Sequence, residues 1–327
     1  MLSYVPADLA GKYSQTLEAT KNDMSDDKKN TQTVLIVGAT GYIGNAVVVE
    51  AVQQGYDVIT VTRSLKSDGR LDGTEIVVAD VTDPASVAKA FSRKIDVVIS
   101  CLGCHSGLAR DFDEIDYKAT LSILNLAKEN GTEKFILLSA ICVRKPELPL
   151  QLAKLKMEDE LMRSGLDYTI VRPTAYFWVF DVQTRMIEKG RPGYLIGSGD
   201  QACHNPIAKE DLAEFMVDSI VNSERKNRVF VIGGPEVPDN IITYKKSLEM
   251  IFESLGKEPK LVSVPGWVFT VVIQLTRFIG VFFRKSGVFS EFLKIVYYYL
   301  VNDMRAPGYG SITFKQHVTD ASKETQT

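Results

Sequence analysis

The residue types that build metal centres and disulfide frameworks are scarce in this chain. It has four cysteines, at positions 101, 104, 142 and 203, and three histidines in 327 residues. The cysteines show no pattern of a secreted disulfide scaffold, which fits a reducing compartment. Cys101-Leu102-Gly103-Cys104 followed by His105 imitates a redox or metal pair. The second well-spaced pair that a zinc site needs is missing, and no metal is expected. Basic charge is not in excess either: Lys and Arg total 38 against 41 Asp and Glu, a net charge of −3, with no basic stripe. That argues against nucleic acid as a partner, because backbone phosphates are held by clustered cations. No apolar h-region marks a signal peptide, and the acidic residues Asp23, Asp26 and Asp27 are unlike an ordinary transit peptide. Residues 1–31 are expected to form a mobile leader. Internal repeats and low-complexity tracts are absent as well.

What the chain does have is a dinucleotide-binding turn. The apolar strand Val34 to Val37 runs into Gly38-Ala39-Thr40-Gly41-Tyr42-Ile43-Gly44 and then an alanine- and valine-rich helix. Three glycines serve a tight strand-to-helix turn, a backbone open to a pyrophosphate, and close packing of helix on sheet. The phosphate would sit at the positive helix N-terminus. The spacing is GxxGxxG rather than the GxGxxG of the standard fingerprint. A second strand from Asp57 ends in Thr62-Arg63-Ser64, about twenty residues past the glycines, where an NAD enzyme usually places Asp or Glu. Arg63 and Ser64 offer a guanidinium and a hydroxyl with no carboxylate to repel a 2′-phosphate, so NADPH is the expected cofactor.

From Val34 to about Arg172 short β-branched runs alternate with helical segments, as an α/β, Rossmann-type doubly wound parallel sheet requires. Strands are expected at Glu75 to Ala79, Asp96 to Ser100, Lys134 to Ser139 and Tyr168 to Val171. Helices are expected at Pro84 to Phe91, started by Asp83, and at Tyr117 to Asn130, ended by Gly131. Ligands bind beyond the carboxyl ends of such strands. Asp80 and Val81 after the third strand, Ser100 and Gly103 after the fourth, and Ser139 after the fifth are therefore expected to line the cofactor groove.

Residues 32–175 are read as the cofactor core. Residues 176–327 are read as a smaller C-terminal substrate-binding region interleaved with it. Tyr176, Phe177 and Trp178 gather just past the last core strand and, with His204, are candidate substrate contacts, although ordinary core aromatics fit the same pattern. Tyr176, Cys203 and His204 are candidate proton donors, with solvent as the alternative source. The segment Trp267 to Phe283 is apolar but interrupted by Gln274, Thr276 and Arg277, and at about seventeen residues it is too short and too polar to span a bilayer. A buried helix packing on Phe289 to Leu300 is the default expectation for it. A membrane-surface helix making peripheral contact, or a lid over an apolar ligand, is the alternative.

The glycine turn, Phe135-Ile136-Leu137-Leu138-Ser139-Ala140, Ala153-Lys154-Leu155-Lys156-Met157-Glu158 and Tyr168-Thr169-Ile170-Val171-Arg172-Pro173-Thr174 together resemble the atypical short-chain dehydrogenase/reductases. Within them the chain resembles the divinyl chlorophyllide a 8-vinyl-reductase family. Ser139-Ala140-Ile141-Cys142-Val143 with Lys145-Pro146 and the closing Gly308-Tyr309-Gly310-Ser311-Ile312-Thr313-Phe314 carry that match. The resemblance implies NADPH-dependent reduction of the C8 vinyl group of a tetrapyrrole in chlorophyll biosynthesis. It also implies a chloroplast location, although no transit peptide is legible; without it the cytoplasm would be the expectation. It assigns Lys154 to the nicotinamide ribose, as the catalytic lysine of the short-chain family's YxxxK pair. The tyrosine of that pair is missing, since its position holds Leu150. A different conjugated or quinone-like substrate, or a non-catalytic NADPH-binding regulatory or assembly role, stays open.

Overall fold

Thr33–Val37 consists of β-branched residues around Leu35 and is buried along its whole length, the mark of a central strand covered on both faces. In the computed structural model, which describes residues 32–64, 69–104, 108–280 and 284–326, this strand is β1. Around it the chain forms α1 (Tyr42–Gln53), β2 (Asp57–Thr62), β3 (Glu75–Val78), α2 (Pro84–Val87), β4 (Val97–Ser100), α3 (Ala109–Phe112), α4 (Thr120–Asn130), β5 (Lys134–Leu138), α5 (Pro149–Met162) and β6 (Asp167–Pro173). Then come α6 (Asp181–Glu188), β7 (Gly193–Ile196), β8 (Cys203–His204), α7 (Lys209–Asp218), β9 (Arg228–Ile232), β10 (Ile242–Thr243), α8 (Tyr244–Ser254), β11 (Leu261–Val264), α9 (Gly266–Gly280), α10 (Arg284–Val301) and α11 (Phe314–Gln326).

Seven strands make one parallel sheet in the order β3-β2-β1-β4-β5-β6-β9, with Val37 level with Ser100 across the central pair. The order reverses between β1 and β4, which opens a crevice at their carboxyl ends. The expected doubly wound α/β sheet is thus present, and it recruits β9 from the C-terminal half beside β6. One face is covered by α1 and α7 through Val47, Val48, Leu212 and Met216. The other is covered by α4 and α5 through Ile123, Leu124, Met157 and Leu161. A separate core of Phe177, Phe180, Leu248, Phe252 and Phe314 forms where α8 and α11 meet.

The expected strands appear within two residues of their predicted ends, and Asp83 caps the helix at Pro84 by accepting from the Ala85 amide. That helix tightens into a 3₁₀ turn at Ala88–Phe91. The helix expected from Tyr117 begins earlier, at Ala109, and passes through a π-helical stretch at Asp113–Ala119, where the Thr120 hydroxyl donates to the Ile115 carbonyl. Gly131 closes it in the left-handed conformation. The buried helix expected from Trp267 is corrected. One side of α9 packs on α10 through Ile273 and a Phe269–Tyr297 ring pair, but Trp267, Leu275 and Phe278 are 68%, 56% and 69% exposed. The apolar run exceeds what one neighbouring helix can cover. Phe282 and Phe283, like the expected leader at 1–31 and His105, lie outside the described residues.

Candidate active site

At the carboxyl end of β1 the chain turns where no side chain fits. Gly38 has a φ of +79°, and a Cβ on it would lie 2.6 Å from the Cys101 carbonyl oxygen. A Cβ on Gly44, in the first turn of α1, would lie 2.1 Å from the Gly38 carbonyl oxygen. Gly41 is the N-cap of α1, offers no side-chain cap, and is followed by a first turn without an acidic residue. The leading amides of this helix therefore face outward with a favourable dipole, and a pyrophosphate fits them. Thr40 is exposed on the turn and Tyr42 is half-buried, whereas Ile43 points into the core, leaving only its backbone to a ligand. Arg70 leans over the turn and donates to the Thr40 carbonyl at 3.4 Å, while its own carbonyl accepts from Asn45.

Arg63 and Ser64 leave β2 exposed. Asp80, just past β3, accepts from the Thr82 amide and hydroxyl at 2.9 and 2.8 Å. Those bonds, with the nearby Arg63 guanidinium adding to them, hold its carboxyl below the usual range. Val81 follows and packs at the margin of the core. At the end of β4 the Ser100 hydroxyl is buried and lacks a hydrogen-bond partner, and space beyond Gly103 is open. An orphaned hydroxyl beside an open glycine is what a groove for a polar ligand presents.

Lys154 comes from α5 and places its Nζ 3.0 Å from Asp116 Oδ1; the lysine side chain is 13% exposed and the carboxylate fully buried. The other Asp116 oxygen accepts from the Cys104 amide. The π-helical stretch turns Asp116 inward, so one buried carboxylate fixes both the lysine and the loop after β4. Ser139 is buried, and its hydroxyl donates to Glu158, which is also held by Arg172. Its side chain is thus committed to a lock between β5, α5 and β6.

Tyr176 lies where β6 ends, its ring 6.3 Å from that of Tyr42, and Trp178 lies at the same distance from Tyr42. Burial and the neighbouring Cys101 and Cys142 push the Tyr176 phenol above its usual range. Burial pushes the Cys101 thiol up to about 12, against the pull of Lys154. Phe177 turns away into the second core, 5.6 Å from Phe314. His204 goes there too: its ring is enclosed near Phe180, its Nε2 lies 3.5 Å from Ser247 Oγ, and burial lowers its pKa to about 4. Cys203 is half-buried, and its amide donates to Asp303.

The site also holds residues that the sequence reading missed. Tyr298 on α10 donates to the carbonyls of Cys142 and Lys145 at 3.2 and 2.8 Å. The next residue, Tyr299, packs on the cluster of Ile141, Cys142 and Leu148. Nothing local in Tyr297-Tyr298-Tyr299 distinguishes a site tyrosine from an anchoring one. Among the described residues no group of three His, Cys, Asp or Glu could hold a metal, and no described helix is long and apolar enough to cross a membrane.

Residues 38–223 match an NAD(P)H-binding family. The chain is 36% identical to the chloroplastic divinyl chlorophyllide a 8-vinyl-reductase of Cucumis sativus, over 88% of its own length and 72% of that protein's. It is 30% identical to the photosystem II assembly factor Ycf39 of Synechocystis, over 80% and 79% of the two lengths. Among solved structures it is similar to an NADPH-dependent quinone oxidoreductase of Escherichia coli complexed with NADPH. That likeness has a TM-score of 0.65 at 15% identity and covers 90% of this chain and all of the other; at that identity it is a likeness of fold.

Proposed function

We propose that this chain, which belongs to the divinyl chlorophyllide a 8-vinyl-reductase family, reduces the C8 vinyl group of a divinyl chlorophyllide or protochlorophyllide to ethyl, with NADPH and in the chloroplast. The observation that carries this reading is a short-chain cofactor crevice in which Lys154 is held by Asp116 while the acid position four residues earlier is Leu150. A carbonyl reductase develops an alkoxide and needs an acid at that position, whereas an alkene conjugated to a macrocycle takes its proton on carbon and does not need one there. The bound dinucleotide supplies the hydride. The glycine turn holds its pyrophosphate, Lys154 orients the nicotinamide ribose, and Ser100 and Gly103 line the groove between them. Arg63, with Arg70 beside the turn, favours a 2′-phosphate, because a guanidinium binds phosphate in charge-assisted pairs. Tyr176 and Trp178 flank the entrance as aromatic contacts for the tetrapyrrole ring.

The exposed face of α9 supports peripheral contact with an anionic lipid surface. Trp267, Val271, Leu275 and Phe278 share one side of that helix and are exposed. From Lys260 to Ser290 the chain has no carboxylate, while Lys260, Arg277, Arg284 and Lys285 are basic, in a protein whose net charge is −3. An exposed apolar face in a stretch of sequence that carries basic residues and no carboxylate matches a membrane of negative headgroups.

Likeness to the Synechocystis assembly factor keeps a non-catalytic role as the competing reading. Anaerobic incubation of the purified protein with NADPH and divinyl chlorophyllide, followed by chromatography, separates the two. Accumulation of the monovinyl product is expected. Tight NADPH binding with no product would overturn the enzyme reading.

A further inference from the structure

Reduction of the vinyl group needs two hydrogens. The hydride forms a bond with the terminal vinyl carbon, the π bond breaks, and its electron pair passes to the adjacent carbon and into the ring. A proton must then reach that carbon, and Leu150 has none to give.

A phenol is delivered to this place from the far end of the chain. Tyr298, 4% exposed, fixes α10 against the turn after β5 through its two hydrogen bonds. Tyr299 is thereby directed at the same turn, with its ring 6.0 Å from that of Tyr298 and nearly perpendicular to it. It packs against the cluster that holds Cys142, with the Cys142 thiol and the Tyr176 phenol within its electrostatic reach. Cys142 is in turn within electrostatic reach of Lys154. The protic groups gathered here are two thiols and three phenols, Cys101, Cys142, Tyr176, Tyr298 and Tyr299, with the lysine ammonium in electrostatic reach of the thiols. Cys142 is 1% exposed and closed off from a ligand, and Tyr176 lies beside Tyr42 at the glycine turn. Tyr299, like Tyr176, is half-buried and keeps part of its surface open.

We propose that Tyr299 is the proton donor of the vinyl reduction, supplied from α10 rather than from position 150; the proposal rests on the vinyl-reductase reading. Its O–H bond breaks as the new C–H bond forms on the carbon next to the ring, and water returns a proton to the phenolate. Burial and the surrounding thiol and phenols hold the Tyr299 phenol well above its usual range, so it stays protonated until a stronger base forms beside it. Rotation of the Cys142 S–H lets it donate to the phenolate while that charge lasts, with Lys154 nearby.

Tyr299→Phe keeps the ring and removes only the proton. In the anaerobic assay it is expected to lower kcat by about a hundredfold or more, the span of general acid catalysis. NADPH affinity by fluorescence titration should stay within about twofold and the melting temperature within a few degrees. The solvent deuterium isotope effect on kcat should rise, since the proton step becomes limiting. Turnover of Tyr299→Phe within about threefold of the unaltered protein would overturn the assignment alone. So would an equal fall in NADPH affinity and melting temperature, which marks a structural role. An unaltered protein that binds NADPH but leaves the divinyl substrate unchanged would overturn the vinyl-reductase reading and this role with it.

Discussion

Arg63 is exposed at the end of β2, and Asp80, within its electrostatic reach, is turned back onto Thr82. Arg63→Ala should therefore weaken NADPH by roughly tenfold to a hundredfold, the equivalent of a charge-assisted contact of ~1.5 to 3 kcal/mol, and barely affect NADH. Paired fluorescence titrations check this, and equal losses for the two cofactors would reject the assignment. His204 makes a different kind of prediction. Its folded pKa of about 4 lies below the unfolded value of about 6.5, so the unfolded chain binds the extra proton in that window. Stability is complete above about pH 6.5 and falls as pH drops, by about 2 kcal/mol at pH 5. His204→Asn should flatten the melting temperature between pH 7 and 5; an unchanged slope would place the acid sensitivity elsewhere. At this scale the legible residues were those whose role is local. Gly38, Gly41 and Gly44 announce their turn by spacing, whereas Lys154 was singled out only by the family resemblance, its motif being broken at Leu150. Asp116, Arg70 and Tyr299 stayed hidden because their partners lie far along the chain, and Ser139 looked like a groove residue because Glu158 is invisible from its neighbourhood.

The elements were legible where one period dominates. Buried parallel strands read as unbroken β-branched runs, and all six expected core strands are present. The helix before β5 was half seen, because a π-helical stretch changes the phase of its apolar face and hides Asp116 in an apparently solvated acidic run. The α9–α10 pair was misjudged for another reason: apolar content says that a helix seeks cover without saying what provides it. Trp267→Ser combined with Phe278→Ser should reduce sedimentation with anionic liposomes severalfold, with little change in NADPH affinity. The melting temperature should hold, because side chains this exposed contribute little folded-state burial. A clear fall in melting temperature with unchanged liposome binding would show instead that the face is covered by protein.

For the molecule as a whole, the cofactor half was readable in order along the sequence, whereas the C-terminal half was expected to interleave with it without the contacts that do so being legible. β9 joins the sheet from residues 228–232, and Gly233 bridges to Gly308. Asn205 holds the Gly234 and Ala306 carbonyls and the Ala306 amide. Asp211 accepts from the Ser311 and Ile312 amides at 3.2 and 3.1 Å, against Gly310, where a Cβ would lie 2.1 Å from Asp211 Cγ. Asp211→Ala strands two amides and should cost about 2 kcal/mol, a fall of several degrees in melting temperature for a chain of this size. Calorimetry checks it, and an unchanged transition would mean that the closing segment is held by Phe314 alone. The same interleaving has a meaning in time. A ribosome delivers the glycine turn well before Tyr298, Tyr299 and the glycines at 308 and 310. A nascent chain can thus present a dinucleotide crevice long before it presents the phenol proposed to complete the chemistry. The half that holds reducing power is made before the half proposed to spend it on a carbon–carbon double bond.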